Sequence, residues 1–311
     1  MSIKVAIRVR PLAQREIELG CKICVSMSNG KTVIKGKDGK PKDFTFDHSF
    51  WSCDGYEELP GGLLIPKNIK GGQYCDQPYV YSKVGKEILE NAWAGYHCCL
   101  FAYGQTGSGK SYSIFGYGPN KGIVPMVAEE MFDRIAAEKK VSSISYEVSF
   151  SMMEIYNEKI QDLLTPNKKS ESTLKIRENK TMGTYVEDLS KWPVLSYTDI
   201  TKKIEEGARL RTIAATCMNN TSSRAHTIIT IELRQINTGE GIATSKYSTI
   251  HLVDLAGSER QSKTGAMGDR LTESCAINKS LHILGLVIST LADVEIGRAN
   301  KGAVVPYRDS S

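Results

Sequence analysis

Hydrophobic and polar positions follow two different periods along this chain. Alternation of apolar with polar residues predicts strands at 3–10, 44–50, 144–152, 227–236 and 246–255, and Pro11 ends the first of them. Apolar residues at helical spacing predict helices at 80–92, 127–135, 200–213 and 277–291. The continuous apolar run from Cys98 to Ala102 predicts a buried strand. Strands that alternate with helices, without an internal repeat, predict a single α/β domain over residues 1–311.

Residues 54–73 lack either period. They contain Pro60, Gly61, Gly62, Pro66, Gly71 and Gly72. Glycine and proline at this density are typical of turns, so a long surface loop is predicted here.

No apolar stretch of the chain approaches the roughly 20 residues that span a bilayer, and the first residues lack the layout of a signal peptide. A soluble, intracellular protein is therefore expected.

Charge and cysteine content narrow the function only slightly. The net charge is +5, and residues 1–46 carry ten Lys or Arg against four acidic residues. A basic surface suits an acidic partner, but residues 31–42 interleave Lys with Gly, Asp and Pro, which is typical of a solvated hairpin. The eight cysteines form no disulfide framework. Only Cys21 and Cys24 have metal-type spacing and no second pair completes a zinc site, so reduced, packed thiols are expected.

A glycine-rich segment directly after the predicted strand at 98–102 carries the clearest chemistry. It matches the phosphate-binding pattern G-x-x-x-x-G-K-[ST], and its residues are Gly104, Gln105, Thr106, Gly107, Ser108, Gly109, Lys110 and Ser111. Glycines allow backbone N–H groups to close around phosphates, Lys110 would neutralise the outer phosphates, and the Ser111 hydroxyl would ligate Mg²⁺. A strand before the loop and a helix after it supply the context that this motif requires.

A second segment supplies a carboxylate and a flexible glycine. The apolar strand at 250–253 ends in Asp254, and Gly257 follows three residues later. Asp254 is predicted to hold the water shell of the Mg²⁺ ion, while the Gly257 N–H would turn toward the γ-phosphate of a bound nucleotide. The polar run 219–226, which includes Ser222, Ser223 and Arg224, would be an ordinary loop if it stood alone.

In this order, the three segments resemble the nucleotide loops of kinesin motor domains. The run 8–11, the segments 153–158 and 277–281, and the segment 305–310 are also similar to kinesin segments, so the resemblance extends from residue 3 to residue 310. The segments around 50–52, 101–112 and 284–293 are most similar to kinesin-3 transport motors. The resemblance implies a P-loop NTPase of the kinesin-motor type, in which a central mixed sheet is flanked by helices on both faces. ATP and Mg²⁺ are the implied cofactors.

The resemblance also implies roles for individual residues. Adenine contacts are implied for Arg8, Arg10, Pro11 and Tyr112. Ser222 and Ser223 would contact the γ-phosphate and the water shell of the Mg²⁺ ion, so that Ser111, Ser223 and Asp254 form the metal site, the last two through water. Arg224 would pair with Glu259 once ATP closes the two loops. Kinesins usually carry Ser where this chain has Ala225, and activity is expected to survive because the neighbouring residues carry the roles.

Microtubules are the implied partner, without contact to nucleic acid or membrane from this domain. A tubulin-binding helix is expected to begin near Glu273, with Arg260, Lys263 and Lys279 as candidate contacts and with an exposed tubulin-side loop at 293–304. The location implied is the cytoplasm, on the microtubule cytoskeleton. Cargo and oligomeric state would depend on regions outside this chain.

Two departures from kinesins stand out. Residues 60–72 are extra sequence in comparison with relatives, and the chain ends where kinesins continue with further helices, a strand and the neck linker. The fold is therefore expected to be incomplete at its carboxyl terminus, with exposed apolar faces, low stability and no movement along microtubules by the 311-residue chain alone.

Two alternatives belong to other functional classes. One is a regulatory protein that binds microtubules through a motor head that no longer cycles, and steady-state ATPase activity with and without microtubules distinguishes it from a motor. The other is a signalling GTPase or a small-molecule kinase that shares only the P-loop. The guanine-reading motif N-K-x-D is missing, since Ser280 and Leu281 follow Asn278 and Lys279, and ATP is favoured over GTP.

Overall fold

In the computed structural model, the longest strands lie side by side in one mixed sheet. The structure describes residues 3–28, 30–36, 38–67, 74–139, 144–165, 173–180, 183–217, 224–237, 244–259, 269–298 and 304–310, of which 212–217 and 269–277 are described by their backbone alone. The sequence Thr-Gly-Glu-Gly at 238–241, which predicts a turn between the strands at 227–236 and 246–255, lies outside these residues.

Short strands precede and follow a few long ones. The strands are β1 (Ala6–Val9), β2 (Val25–Ser28), β3 (Lys31–Lys35), β4 (Pro41–Thr45), β5 (His48–Trp51), β6 (Tyr56–Glu58), β7 (Leu64–Pro66), β8 (Cys98–Ala102), β9 (Gly116–Tyr117), β10 (Asn120–Lys121), β11 (Ile144–Tyr156), β12 (Lys159–Asp162), β13 (Ile176–Asn179), β14 (Gly183–Val186), β15 (Trp192–Pro193), β16 (His226–Asn237) and β17 (Thr244–Asp254). The helices are α1 (Gln14–Glu18), α2 (Gln77–Val80), α3 (Lys86–Trp93), α4 (Lys110–Ile114), α5 (Ile123–Glu138), α6 (Tyr197–Cys217) and α7 (Asp269–Glu295), and a π-helical turn, Tyr81–Gly85, joins α2 to α3. The part of the chain that the structure describes contains no helix long and apolar enough to cross a membrane.

The chain divides into two compact units. The first comprises residues 1–87 and 115–126, and it contains the parallel pair β1–β5, the antiparallel sheet β2–β3–β4 and the hairpins β6–β7 and β9–β10. The second comprises residues 88–114 and 127–311, and it contains the central sheet and the hairpin β13–β14. The organisation of residues 1–311 as one domain stays a prediction.

The central sheet runs in the order β12, β11, β16, β17, β8, and β15 pairs with β11. Strands β8 and β17 are parallel, with Asp254 opposite Ala102, whereas β16 is antiparallel to both of its neighbours, with Thr227 opposite Asp254. The carboxyl ends of two parallel strands lie at the same edge of a sheet, and the amino end of an antiparallel neighbour lies there too. The loops after β8 and β17 and the segment before β16 therefore meet at one edge of the sheet.

The core of this unit follows the middle of the sheet. In β16, Ile229, Ile231 and Leu233 are completely buried, and Ile250 and Leu252 of β17 are equally inaccessible. In both strands these buried residues recur at every second position, with Thr230, Glu232 and His251 between them, so one face of the sheet is apolar. Helix α6 lies close to β11 because it carries Gly207, where a Cβ atom would come within 2.5 Å of the Met152 sulfur.

Most predicted elements are present, with longer or shorter bounds. The strand predicted at 44–50 is interrupted between β4 and β5, since Phe46 and Asp47 belong to neither strand. The final helix, predicted over 277–291, begins at Asp269 and ends at Glu295. The first residues of the predicted exposed loop at 293–304 are therefore helical.

Three expectations are wrong. Residues 54–67 form the hairpin β6–β7 instead of an irregular loop, because Asn120 holds its turn by accepting a hydrogen bond from Leu64 N at 2.9 Å and donating one to Gly62 O at 2.7 Å. Strand β8 is not uniformly buried, because its side chains alternate and Phe101 is 40% exposed. The cysteines are not all packed, since Cys21, Cys24 and Cys99 are exposed.

We expect the core of β16 to dominate the stability of the second unit. Leu233→Ala removes a completely buried side chain and is expected to lower the free energy of unfolding by about 2–5 kcal/mol. Leu195→Ala is the matched control, because Leu195 is 88% exposed and its loss is expected to cost less than about 0.5 kcal/mol. Urea denaturation followed by circular dichroism measures both, and equal losses would contradict the assignment of this core.

Candidate functional site

The glycine-rich loop between β8 and α4 lies at the edge of the sheet where three chain segments meet. Gly109 has φ of 96°, a left-handed conformation that glycine adopts readily, and the loop turns there into α4 at Lys110. The Lys110 ammonium group folds back over the loop and donates to the carbonyl oxygens of Gly104 and Gln105, at 2.9 and 3.1 Å. Burial lowers the pKa of Lys110, although the nearby carboxylates of Asp254 and Glu259 oppose this effect. The loop thus surrounds a half-buried positive charge.

Asp254 faces the loop from the end of β17. Its carboxylate is 4% exposed, and its Oδ2 atom accepts a hydrogen bond from the Ser111 hydroxyl at 2.5 Å. The Oδ1 atom is buried and has no hydrogen-bond partner among the described residues. Burial raises the pKa of Asp254, while the hydrogen bond from Ser111 opposes the rise.

This arrangement fits a Mg²⁺ ion with its water shell. A buried carboxylate oxygen without a partner is costly, and it offers an acceptor to a further donor such as a metal-bound water. Mg²⁺ prefers oxygen ligands, keeps several waters and is usually held by one or two protein groups together with substrate phosphates. Ser111 and Asp254 supply a hydroxyl and a carboxylate at hydrogen-bond distance from each other. No cluster of three or more His, Cys, Asp or Glu side chains with metal-binding geometry occurs among the described residues.

The segment 255–259 after β17 is attached to the glycine-rich loop at two further points. Ser258 N donates to Gly104 O at 3.1 Å. Both oxygens of the Glu259 carboxylate accept hydrogen bonds from Thr106, one from its backbone N–H at 2.8 Å and one from its hydroxyl at 2.6 Å. Partial burial raises the pKa of Glu259, but the hydrogen bonds from Thr106 outweigh it and bring the pKa below its ordinary value.

Gly257 lies inside this contact. A Cβ atom at this position would come within 2.3 Å of the Thr106 hydroxyl and 2.4 Å of Glu259 Oε2. A side chain at this position would force the Thr106 hydroxyl and the Glu259 carboxylate to move aside, so glycine allows this approach with the bonds between Thr106 and Glu259 in place. The crowding explains the glycine better than backbone conformation does, since Gly257 has no positive φ.

Several predicted site residues are thus brought together in the second unit. The cluster comprises Gly104, Gln105, Thr106, Lys110, Ser111, Asp254, Gly257 and Glu259. The remaining loop residues, Gly107, Ser108 and Gly109, complete the same turn, in which Ser108 N donates to Gln105 O. Arg224 is half-buried in the turn before β16. Ser222, Ser223, Arg260 and Lys263 lie outside the described residues.

The residues expected at the adenine belong partly to the first unit. There Arg8 donates to Ser52 Oγ and to Gln77 Oε1, at 3.0 and 2.6 Å. Arg10 forms a two-point ion pair with Glu16 at 2.7 Å. In the second unit, Tyr112 is half-buried in α4. The adenine contacts of Arg8, Arg10, Pro11 and Tyr112 stay predictions.

Sequence reasoning missed the partner of Glu259 and the contacts of a buried histidine. The structure shows the Glu259 carboxylate bound by Thr106, and the pairing of Glu259 with Arg224 in the ATP-bound state stays a prediction. His226, at the start of β16, contacts both Ala256 and Ser280. The pattern R-x-H at 224–226 marks the histidine, but no local signal identifies partners 30 and 54 residues away.

Comparisons with known proteins agree with this geometry. The family model described as "Kinesin motor domain" matches residues 8–311. "Kinesin-related protein 1" of Dictyostelium discoideum is 45% identical over 326 aligned residues, which cover 100% of this chain and 14% of that protein. "Kinesin-like protein KIF13A" of Mus musculus is 46% identical over 99% of this chain and 17% of that protein. This chain therefore spans less than a fifth of the length of these two relatives.

The predicted likeness to kinesin-3 motors and the predicted fold are confirmed. KIF13A is a kinesin-3 family member, and others are about equally similar. Among solved structures, a KIF14 dimer in a two-heads-bound state, with AMP-PNP and in complex with a microtubule, has a TM-score of 0.85 and is 40% identical. The match covers 100% of this chain and 82% of that one. The fold is the P-loop NTPase fold of kinesin motor domains, with a mixed central sheet.

The close approach at Gly257 gives a direct test of the site geometry. Gly257→Ala is expected to lower the free energy of unfolding by about 1–3 kcal/mol, because its methyl group would displace the Glu259 carboxylate from its hydrogen bonds with Thr106. Gly285→Ala is the control, since its Cβ atom on α7 would meet none of the described residues within 4 Å and alanine is the better helix former by about 1 kcal/mol. Thermal unfolding of both variants provides the measurement. A Gly257→Ala protein as stable as the natural one would contradict the contact.

Proposed function

Because this chain belongs to the kinesin motor-domain family, we propose that the protein hydrolyses ATP at the glycine-rich loop and uses the energy to act on microtubules. The observation that carries the proposal is the pairing of Ser111 on this loop with the buried Asp254 at the end of β17. A phosphate-binding loop and a metal-facing carboxylate at the same edge of a sheet are the two parts that ATP hydrolysis needs most. We also propose a cytoplasmic location for the protein, on the microtubule cytoskeleton.

The loop residues would hold the triphosphate. Backbone N–H groups of the loop would contact the phosphate oxygens, and the Lys110 ammonium group would neutralise the outer phosphates in exchange for its bonds to Gly104 O and Gln105 O. Ser111 would ligate Mg²⁺, and Asp254 and Ser223 would hold its waters. When bound, the Mg²⁺ ion supplies positive charge that stabilises the phosphates during transfer. The adenine would lie against Arg8, Arg10, Pro11 and Tyr112.

Binding of ATP would release Glu259 from the loop. The Thr106 N–H now binds a carboxylate, which is an anion like the phosphate that this N–H would bind in the presence of nucleotide. Two anions compete for one donor, so Glu259 would leave Thr106 and become available to Arg224. Gly257 would turn its N–H toward the γ-phosphate, and Ser222 would contact the same group. The presence of the γ-phosphate would thus cause a movement of residues 255–259.

Microtubules are the proposed partner of this protein, with the contacts on α7 and in the segment before it. KIF14 structures in complex with microtubules support this assignment, since they share the fold over the whole of this chain. Lys279 is exposed on α7 and supplies positive charge toward an acidic partner. Arg260 and Lys263, in the segment before α7, are the other candidates for tubulin contacts.

Removal of the Lys110 charge tests the proposed reaction. Lys110→Ala is expected to lower the microtubule-stimulated kcat for ATP by about 100-fold or more, the cost of losing a preorganised charge at the reacting phosphate. Lys246→Ala removes an exposed lysine of β17 and is expected to leave the rate unchanged. Steady-state ATPase assays on the whole protein, with and without microtubules, provide the measurement. Microtubule binding by the natural protein without any turnover would instead support a non-cycling binding protein.

A further inference from the structure

The imidazole ring of His226 joins two segments that the proposed function treats separately. Its Nδ1 atom accepts a hydrogen bond from Ala256 N at 3.1 Å, and its Nε2 atom lies 2.9 Å from the Ser280 hydroxyl on α7. The ring is 7% exposed. It therefore lies between the segment that follows Asp254 and the long helix α7.

The direction of both hydrogen bonds follows from the backbone partner. A backbone N–H can only donate, so Nδ1 must be the unprotonated nitrogen. In the neutral ring the hydrogen is then on Nε2, which donates it to the Ser280 hydroxyl oxygen. The pKa of His226 is lowered to about 4, chiefly by burial, with Glu158 opposing the shift and Lys110 contributing to it. The ring is thus neutral near pH 7, with one acceptor and one donor in fixed positions.

An apolar contact joins the same two segments beside the ring. Leu255 and Ala256 form a buried cluster with Leu281 of α7, and Val253 and Leu284 pack against it. Because Ser280 and Leu281 are neighbours, the polar and the apolar contacts hold the same turn of α7. Apolar contacts tolerate sliding, but a hydrogen bond weakens steeply when its distance or angle changes. The histidine therefore sets the register of this contact more strictly than the leucines do.

The opposite side of the segment 255–259 is bound to the glycine-rich loop. Ser258 N donates to Gly104 O, and Thr106 holds both oxygens of Glu259. Ala256 is one residue from Gly257, the glycine that is crowded against Thr106. A displacement of this segment by a bound nucleotide must therefore either move Ser280 with it or break a hydrogen bond at His226.

We propose that His226 is a positioning residue that couples the nucleotide state of the glycine-rich loop to α7. Its Nδ1 atom fixes the Leu255–Ala256 peptide, and its Nε2 atom transmits the position of that peptide to Ser280. This inference rests on the proposed function, because it needs ATP at the loop and a microtubule-responsive α7. His226 touches no reacting atom in this account, so its removal affects communication between the two segments and not the chemical step itself.

Ser280→Ala is the variant that tests the link. It removes the acceptor of the Nε2 hydrogen and leaves the bond between His226 and Ala256 in place. Ser289→Ala is the matched control, since Ser289 is also on α7 and its hydroxyl bonds, within the described part of the chain, only to Leu286 O of the same helix, at 3.0 Å. His226→Asn is a second variant, because its shorter side chain keeps an acceptor near Ala256 and cannot reach Ser280.

Steady-state ATPase assays on the whole protein give the first readout. Ser280→Ala is expected to reduce microtubule stimulation of kcat at least about fivefold, the lower end of typical coupling between sites. The KM for ATP and the rate without microtubules are expected to change less than about twofold, and Ser289→Ala is expected to match the natural protein. A double variant of His226→Asn with Ser280→Ala is expected to be no worse than either single variant, because both break one link.

Nitrogen NMR of ¹⁵N-histidine-labelled protein gives a readout that does not depend on activity. The His226 ring is expected to show the tautomer protonated at Nε2, and Ser280→Ala is expected to shift the Nε2 resonance more than the Nδ1 resonance. Full microtubule stimulation in Ser280→Ala, with the natural protein stimulated as well, would overturn the coupling role alone. A natural protein that hydrolyses no ATP would overturn the proposed function, and the NMR spectrum would still report whether the link exists.

Discussion

The hydrogen bond from the Ser111 hydroxyl to the buried Asp254 carboxylate is the contact on which the rest of the site depends. A carboxylate that is 4% exposed must have polar partners, or its burial would be strongly unfavourable. The parallel pairing of β8 with β17 brings the two residues to the same edge of the sheet, with Asp254 opposite Ala102. One carboxylate oxygen is satisfied by Ser111 and the other has no partner among the described residues. Under the proposed function, this second oxygen would accept a hydrogen bond from the water shell of Mg²⁺.

From this contact the segment 255–259 extends between two differently bonded neighbours. Toward the glycine-rich loop its contacts are hydrogen bonds to groups that a nucleotide phosphate would also use, chiefly the Thr106 N–H. Toward α7 its contacts are the apolar cluster around Leu281 and the neutral His226 ring. A bound phosphate would compete for the hydrogen bonds to the glycine-rich loop and leave the contacts with α7 untouched. Under the proposed function, nucleotide would therefore change one side of the segment while the other side carries the displacement to α7.

The sequence predicts those parts of the site that are encoded by neighbouring residues. The glycine-rich loop follows its strand directly, and Asp254 ends an apolar strand, so periodicity and motif spacing predicted both. The bond between Thr106 and Glu259 joins residues 153 apart, and such a contact depends on strand register, which local patterns do not contain. The hairpin β6–β7 was missed for a similar reason, since a side chain from Asn120 orders a glycine-rich stretch that looks irregular by itself. Phe101 is exposed although its strand is apolar, because burial depends on the neighbours that the fold supplies.

The affinity of ADP with and without Mg²⁺, measured by isothermal titration calorimetry, tests the role of the buried carboxylate most directly. The Asp254→Asn variant keeps the shape of the side chain and an acceptor for Ser111 but removes the charge. We predict that Mg²⁺ tightens ADP binding to the natural protein at least about tenfold more than it does in Asp254→Asn. The same effect of Mg²⁺ in both proteins would contradict the account, because the carboxylate would then have no part in holding the metal.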